Sequence, residues 1–297
     1  MDRLDALRLF VRTVETGSFT RAGHEVGVSQ PQASRAVAGL EARLGARLLL
    51  RSTRRLSPTE AGQRVYEQAL RLLTEESALV EVAAGADREP AGRLRVSGSV
   101  VFCEDEIAPH AGSFLEAFPR VRLDLLATDA RVDLVAEGVD LALRLGGLAD
   151  SGLTARRLGR YGRWMVATRE VADRVAEAAD LATGLAGRSL AFTGGPQGPV
   201  RWRLRRGDDR LELEPTGRAS SASAALVHRM AREGLGVALL PAFAVRRCLA
   251  EGRLVRVAPE WEGEPVELHA LWSGRVLPGK ARAFLDHLTP RLTVERP

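Results

Sequence analysis

Residues 18–66 read SFTRAGHEVGVSQPQASRAVAGLEARLGARLLLRSTRRLSPTEAGQRVY, and this stretch decides how the first part of the chain folds. Ser18 is placed to cap a short helix, Phe19 to about Val26, which Gly27 stops. Ser29-Gln30-Pro31-Gln32 is an S-x-x-Q capping box with proline in the first turn, so a second helix begins there. Ala33, Val37, Leu40 and Leu44 keep helical spacing until Gly45. Upstream, Leu4, Leu7, Val11 and Val14, with Phe10 beside them, form one apolar stripe on an earlier helix. Gly17 suits the left-handed residue that ends it. Two short helices about a tight turn, after a longer one, spell helix-turn-helix. After Gly45 the period changes. Arg47 to Arg51 and Arg54 to Ser57 read as two short strands around Ser52-Thr53, a β-hairpin wing.

Ser57-Pro58-Thr59-Glu60 is a second capping box with proline at its first helical position. It predicts a long helix to about Ala86. One stripe along it is Val65, Ala69, Leu72, Leu79 and Ala83; the other is Tyr66, Leu70, Leu73, Val80 and Ala84. An ordinary buried helix explains one stripe. The second suits docking against another copy of the same helix. Asp87 to Gly92 is polar, contains Pro90 and reads as a hinge. From Arg93 the pattern turns α/β. Leu94 and Val96 start a strand, Glu104 to Ala117 suits a helix, and Val121, Leu123 and Leu125 alternate, as do Leu141-Ala142-Leu143. Further strands are predicted at Trp164–Ala167, Leu190–Phe192, Val237–Leu239, Leu254–Val257 and Leu268–Trp272, with helices at Ala222–Glu233 and Ala281–Leu288. Such alternation predicts an open, mostly parallel sheet, or two of them.

The length, 297 residues, accommodates about two domains. A content of 45% hydrophobic and 27% charged residues excludes collagen-like and disordered chains. Cys103 and Cys248 stand far apart and make neither a disulfide framework nor a zinc motif, which fits a reducing compartment. Cys103 reads as a buried or incidental thiol rather than a redox sensor. The beginning, MDRLDALRLF, lacks the apolar run of a signal peptide. The most apolar stretch, Gly234 to Val245, is interrupted by Pro241 and too short to span a bilayer. The expected location is the cytoplasm, with no membrane partner.

The net charge of +5 is small as an average, but it is localised. Residues 29–55 hold six arginines and one acid, Glu41, so their net charge equals that of the whole chain. A glutamine amide in the first turn of the second short helix, such as Gln30, pairs bidentately with adenine in a major groove. Ser34, Arg35 and the free N–H groups of the helix start hold phosphate. Arg51, Arg54 and Arg55 put charge on the wing, within reach of a minor groove or the backbone. The arginine clusters 156–163 and 201–206 read as ordinary surface. The only lysine is Lys280, a compositional bias toward arginine without a derivable function.

These residues resemble the winged helix-turn-helix of LysR-type transcriptional regulators. The G-S-F-T-x-A start, V-S-Q-P-x-x-S-R helix, L-E-x-x-L-G stop and the LSPTEAG entry to the linker helix all match. The likeness continues through GRLRVSGS, VDLVAEGVDLALRLGGLADSGLTARRLG, GLGVALLP and RAFLDHL. It implies a winged helix-turn-helix over residues 1–57, a dimerising linker helix over 58–88 and a two-lobed α/β effector domain over 89–297, built like a periplasmic binding protein. The first lobe would be about 93–161 and 269–297, the second about 162–268. By the same resemblance Ser29, Gln30, Pro31, Gln32, Ser34 and Arg35 contact DNA, with Arg51, Arg54 and Arg55 in the wing. Many relatives have alanine where Gln32 stands, so its amide either alters base preference or completes the cap.

A ligand between such lobes sits at the C-terminal ends of strands. The matching positions are Gly98, Ser99 and Val100, then Thr128 and Gly146, and from the second lobe Phe192, Thr193 and Ser221. Ser99, Thr128 and Thr193 either hydrogen-bond a small effector or cap turns. Glu104-Asp105-Glu106 either stabilise a helix dipole from its first turn or disfavour an anionic effector. The implied partners are double-stranded promoter DNA, a small-molecule effector, RNA polymerase, and further copies of the chain as a homodimer or dimer of dimers. No cofactor, metal or catalytic residue is expected. A ligand-independent architectural DNA-binding protein leaves the α/β region without a purpose. An α/β enzyme lacks G-x-S-x-G, P-loop, H-E-x-x-H and G-x-G-x-x-G motifs, and the five histidines show no ligand spacing.

Overall fold

The structure is a computed structural model that describes residues 2–51, 56–84, 89–147, 152–193 and 200–295. These form two compact units. The first takes in Met1–Arg88 with the short segments Asp133–Val139 and Ser273–Gly279; the second holds the rest.

In the first unit, helices α1 (Arg3–Thr16), α2 (Phe19–Val26) and α3 (Gln30–Leu44) precede strands β1 (Leu49–Arg51) and β2 (Leu56–Pro58). Helix α4 (Glu60–Ala84) follows. Gly17, Gly27 and Gly45 end the first three helices with φ of 62°, 80° and 65°, the left-handed region that glycine enters without a Cβ clash. Strands β1 and β2 pair antiparallel from Leu49 opposite Pro58 to Arg51 opposite Leu56. Leu9, Phe10, Val11, Phe19, Ala33, Val37, Leu40, Leu48, Leu49, Tyr66 and Ala69 form its core.

Helix α4 begins later than its capping box predicts. Pro58 is spent on the hairpin, and Thr59 is the cap: its Oγ1 accepts from Gly62 N at 2.8 Å and donates to the Arg47 carbonyl at 2.7 Å. The two predicted stripes are also divided differently. Val65, Tyr66, Ala69, Leu70 and Leu73 all pack on the first unit's core, while Leu72 and Leu79 stay exposed; the side chains of Val80, Ala83 and Ala84 lie outside the described residues.

The second unit runs β3 (Gly92–Gly98), α5 (Val100–Phe102), a π turn (Cys103–Ile107), α6 (Ala108–Ala117), β4 (Val121–Ala127), β5 (Leu141–Leu145) and β6 (Thr154–Ala167). It continues with α7 (Arg169–Ala176), α8 (Leu181–Leu185), β7 (Ser189–Phe192), β8 (Trp202–Arg206), β9 (Asp209–Leu213) and β10 (Ser220–Ser221). Helix α9 (Ala224–Arg232), β11 (Val237–Pro241), α10 (Ala242–Ala250), β12 (Val255–Arg256), β13 (Glu262–Trp272) and α11 (Gly279–Leu288) complete it.

The sheet order is β10-β7-β11-β6-β13-β5-β3-β4. It is mixed rather than mostly parallel. Strands β4, β3 and β5 are parallel, as are β10, β7 and β11. Between the two groups the long strands β6 and β13 pair antiparallel, from Thr154 opposite Trp272 to Arg163 opposite Gly263. Strand β6 ends against β11, and β13 ends against β5. The chain therefore crosses from one parallel group to the other on β6 and returns on β13. Around β6 and β11 both sheet faces are covered. Met165, Ala167, Val237 and Leu239 join one core, and Val166, Ala238 and Leu240 join another. Such double burial is what parallel-rich sheets require. Among the described residues no helix is long and apolar enough to cross a membrane.

Candidate nucleic-acid interface and effector site

Helix α3 buries Ala33, Val37 and Leu40 and turns its first residues outward. Ser29, Gln30, Pro31, Gln32 and Arg35 are exposed and Ser34 is half-buried. The tight turn before it depends on Gly23, where a Cβ would lie 2.7 Å from the Val28 carbonyl oxygen.

Gln32 has a definite structural task. Its Oε1 accepts from Ser29 N at 2.9 Å and from Ser29 Oγ at 2.8 Å. The carbonyl end thus completes the cap and leaves the amide N–H₂ as a donor. Arg35 Nε donates back to the Pro31 carbonyl at 3.3 Å. Glu41, the one acid in the basic stretch, is occupied as well: its Oε1 accepts from Leu48 N and Leu49 N at 2.8 and 3.1 Å. That carboxylate anchors the first wing strand to α3. Arg51 contributes its backbone to β1; its side chain, and Arg54 and Arg55 entirely, lie outside the described residues.

In the second unit the sequence-predicted positions occupy strand ends. Gly98 ends β3, Thr128 follows β4, Gly146 follows β5, Phe192 ends β7 and Ser221 ends β10. Thr128 N donates to the Gly98 carbonyl and Thr193 N to the Ser221 carbonyl, both at 2.8 Å. Each parallel group therefore ties its own strand ends together. Helices α5 and α9, one from each group, pack against each other. Ser99 caps the helix that starts at Val100, with Phe102 N 3.4 Å from its Oγ. Thr128 Oγ1 accepts from Ala130 N at 3.2 Å and Ser221 Oγ from Ser223 N at 3.0 Å.

The helix after β3 starts at Val100 and not at Glu104. Glu104-Asp105-Glu106 consequently lie in its second turn, within the π turn, where a first-turn dipole role does not apply. Glu106 is buried and fully engaged. Tyr161 Oη donates to its Oε2 at 2.8 Å, and Arg246 and Thr293 donate to its Oε1 at 3.3 Å each. Burial, then the Glu106 charge, hold the Tyr161 hydroxyl far above the usual phenol range.

Two groups beside Gly98 complete the electrostatics. Burial pushes the Cys103 thiol up to about 11, which keeps it protonated near neutrality and is the opposite of a reactive cysteine. Arg144 is a residue that the periodicity reading missed. Its Nη2 donates to Ser97 Oγ at 2.9 Å and its Nη1 to the Thr128 carbonyl at 3.3 Å. The available signal was an arginine inside the otherwise apolar strand Leu141–Leu145. The arginine clusters downstream are paired locally. Arg201 and Arg203 meet Glu212, Arg206 meets Asp209, Arg157 meets Glu267 and Arg160 meets Glu295. Among the described residues no cluster of three or more His, Cys, Asp or Glu side chains is arranged to hold a metal.

A winged helix-turn-helix joined by a long helix to a mixed α/β sheet with two parallel groups defines a ligand-responsive DNA-binding regulator. Residues 4–63 match the bacterial regulatory helix-turn-helix of the lysR family, and residues 87–293 match the LysR substrate binding domain. The chain belongs to the LysR family of transcriptional regulators. It is 34% identical over 302 residues to the HTH-type transcriptional regulator PtxR of Pseudomonas aeruginosa, covering 98% of this chain and 95% of that one. The solved structure of CrgA, a LysR-type regulator from Neisseria meningitidis, superimposes with a TM-score of 0.61 at 30% identity, over 97% of this chain and 98% of that one. Full-length AphB, a virulence activator of Vibrio cholerae, gives a TM-score of 0.55 at 26% identity over 97% and 99% of the two chains.

Proposed function

We propose that this regulator works in the cytoplasm as a homodimer or dimer of dimers, without catalytic activity of its own. Residues 1–57 read promoter DNA, 58–88 join two copies, and 89–297 sense a small molecule. The effector binds between a lobe of about 93–161 with 269–297 and a lobe of about 162–268, at Gly98, Ser99, Val100, Thr128, Gly146, Phe192, Thr193 and Ser221. Leu72 and Leu79, seven residues apart and exposed on α4, suit the contact with a second copy. Effector binding shifts the balance between lobe arrangements, and with it the spacing of the DNA-reading heads and their presentation to RNA polymerase.

The observation that carries the DNA reading is the outward face of α3. Its apolar residues are buried, while Ser29, Gln30, Pro31, Gln32 and Arg35, with Ser34 beside them, are left to meet a major groove. Arg51, Arg54 and Arg55 supply backbone contacts. Gel shifts test this with a fragment selected from random DNA and a scrambled control at several salt concentrations. Arg54→Ala should weaken binding to both fragments and flatten the salt slope by about one. Gln30→Ala should reduce discrimination between them. Wild-type slope and discrimination in both variants would sink the assignment.

A further inference from the structure

We infer that Arg144 recognises the effector and that the effector carries a carboxylate. The inference deepens the proposed effector site and rests on that reading.

Arg144 stands near the end of β5, and its guanidinium reaches across β3 to the segment after β4. Its two hydrogen-bond partners, the Ser97 hydroxyl and the Thr128 carbonyl, are both neutral. Among the described residues no carboxylate comes within ion-pair distance of it. Neighbouring arginines of the same unit differ. Arg95 meets Asp124, Arg157 meets Glu267, and Arg246 meets the buried Glu106. Burial works against its charge, and the Asp129 carboxylate supports it only from beyond ion-pair distance.

A half-buried cation with no carboxylate in direct contact is an unfavourable arrangement. Here it is held in place rather than released to solvent. A guanidinium has five N–H donors, and the two bonds to Ser97 and Thr128 leave three for a ligand. They are presented in a planar fork that matches a carboxylate. The fork is bonded to Thr128 and to Ser97, the residue before Gly98, at strand ends where the effector is placed. The direct partners of this one cation are neutral, and the Asp129 carboxylate acts on it from beyond ion-pair distance, so the site favours a singly charged carboxylate over a doubly charged phosphate. The acids of the π turn do not counter this. Glu106 is engaged by Arg246, and none of the three acts on Arg144.

The test is thermal shift followed by calorimetry on the full chain. The probes are mono- and dicarboxylic acids from acetate to benzoate and succinate, each beside its uncharged amide, together with inorganic phosphate. At least one acid should raise the wild-type melting temperature while its amide does not. Arg144→Gln should weaken that acid roughly tenfold to a hundredfold, and Arg144→Lys, which keeps the charge but not the fork, should fall between. The acid–amide comparison on wild-type protein stands even if the Gln variant does not fold. An amide binding as well as its acid, phosphate binding in preference to every acid, or Arg144→Gln binding the acid like wild type would each overturn the inference. A neutral compound that stabilises wild type and Arg144→Gln alike would overturn it while leaving the effector site standing. No shift with any compound, charged or neutral, would count against both.

Discussion

Tyr161 Oη donates a 2.8 Å hydrogen bond to Glu106 Oε2, and both residues are buried. Tyr161 sits on β6, the strand that crosses between the two parallel groups. Glu106 sits in the π turn of the helix that leads from β3. Arg246 on α10 and Thr293 near the C-terminal end donate to the other carboxylate oxygen. Four separate parts of the effector unit thus meet at one buried charge. A π turn is a local widening of the helix, and such turns are frequent at functional sites. Tyr161→Phe would leave Glu106 Oε2 buried without its donor. The expected cost is about 1.5–3 kcal/mol, the range for a hydrogen bond to a charged group. It reads as a lower urea midpoint followed by far-UV circular dichroism. Because the hydroxyl is held protonated well above neutrality, the loss should be the same at pH 6 and pH 8. An unchanged midpoint would mean that Glu106 finds another donor.

The junction between the wing and the linker helix depends on a missing side chain. Gly62 lies in the first turn of α4, where a Cβ would overlap the Leu48 carbonyl oxygen. That same oxygen accepts from Thr59 N at 2.9 Å, so it is not free to move. Gly62→Ala should destabilise the first unit by about 1–3 kcal/mol through forced separation of α4 from the wing. Gly39 is the matched control. It lies inside α3, and a Cβ placed there would have open space for 4 Å around it. Gly39→Ala should therefore stabilise by about 0.5–1 kcal/mol through helix propensity alone. Denaturant midpoints of the two variants should move in opposite directions; a shared direction would refute the packing account.

The first unit was legible because its signals are local. Ser18, Gly27, Ser29 and Gly45 mark ends that the backbone fixes by itself, and α2 and α3 fall within a residue of the boundaries they predict. Strand β6 shows the opposite case. Only its last four residues, Trp164–Ala167, read as a strand, although it starts at Thr154. Arg156, Arg157, Arg160 and Arg163 interrupt its alternation. Three of them are tolerated because other elements meet them: Glu267 faces Arg157, Glu295 faces Arg160, and the Glu264 carbonyl accepts from Arg163. Helix α10 was hidden by continuity: Val237 to Val245 is apolar throughout, and Pro241 divides a strand from a helix inside it. Arg144 and Glu106 were invisible as a site and a junction because their partners, Ser97, Thr128, Tyr161 and Arg246, are brought to them only by the sheet and its crossing strands.

Asp105 gives the effector unit a testable pH dependence. Partial burial, then the neighbouring Glu104 and Glu106 charges, raise its carboxyl from 3.8 to about 6, against the opposing pull of Arg247 and Arg246. A carboxyl raised on folding holds its proton longer in the native state than in the unfolded chain. Native stability is therefore lost as pH climbs from about 4 to about 6, and the strain is fully present above that window. Asp105→Asn removes the ionisation. Its melting temperature should exceed that of the parent protein at pH 7.5, and the difference should shrink as pH falls through 6 and vanish near pH 4. Every other titrating group is common to the two proteins, so the difference isolates this one. A variant that melts below the parent at pH 7.5, with the deficit closing toward pH 4, would show instead that the Asp105 charge is held by Arg246 and Arg247, with the repulsion from its neighbours outweighed.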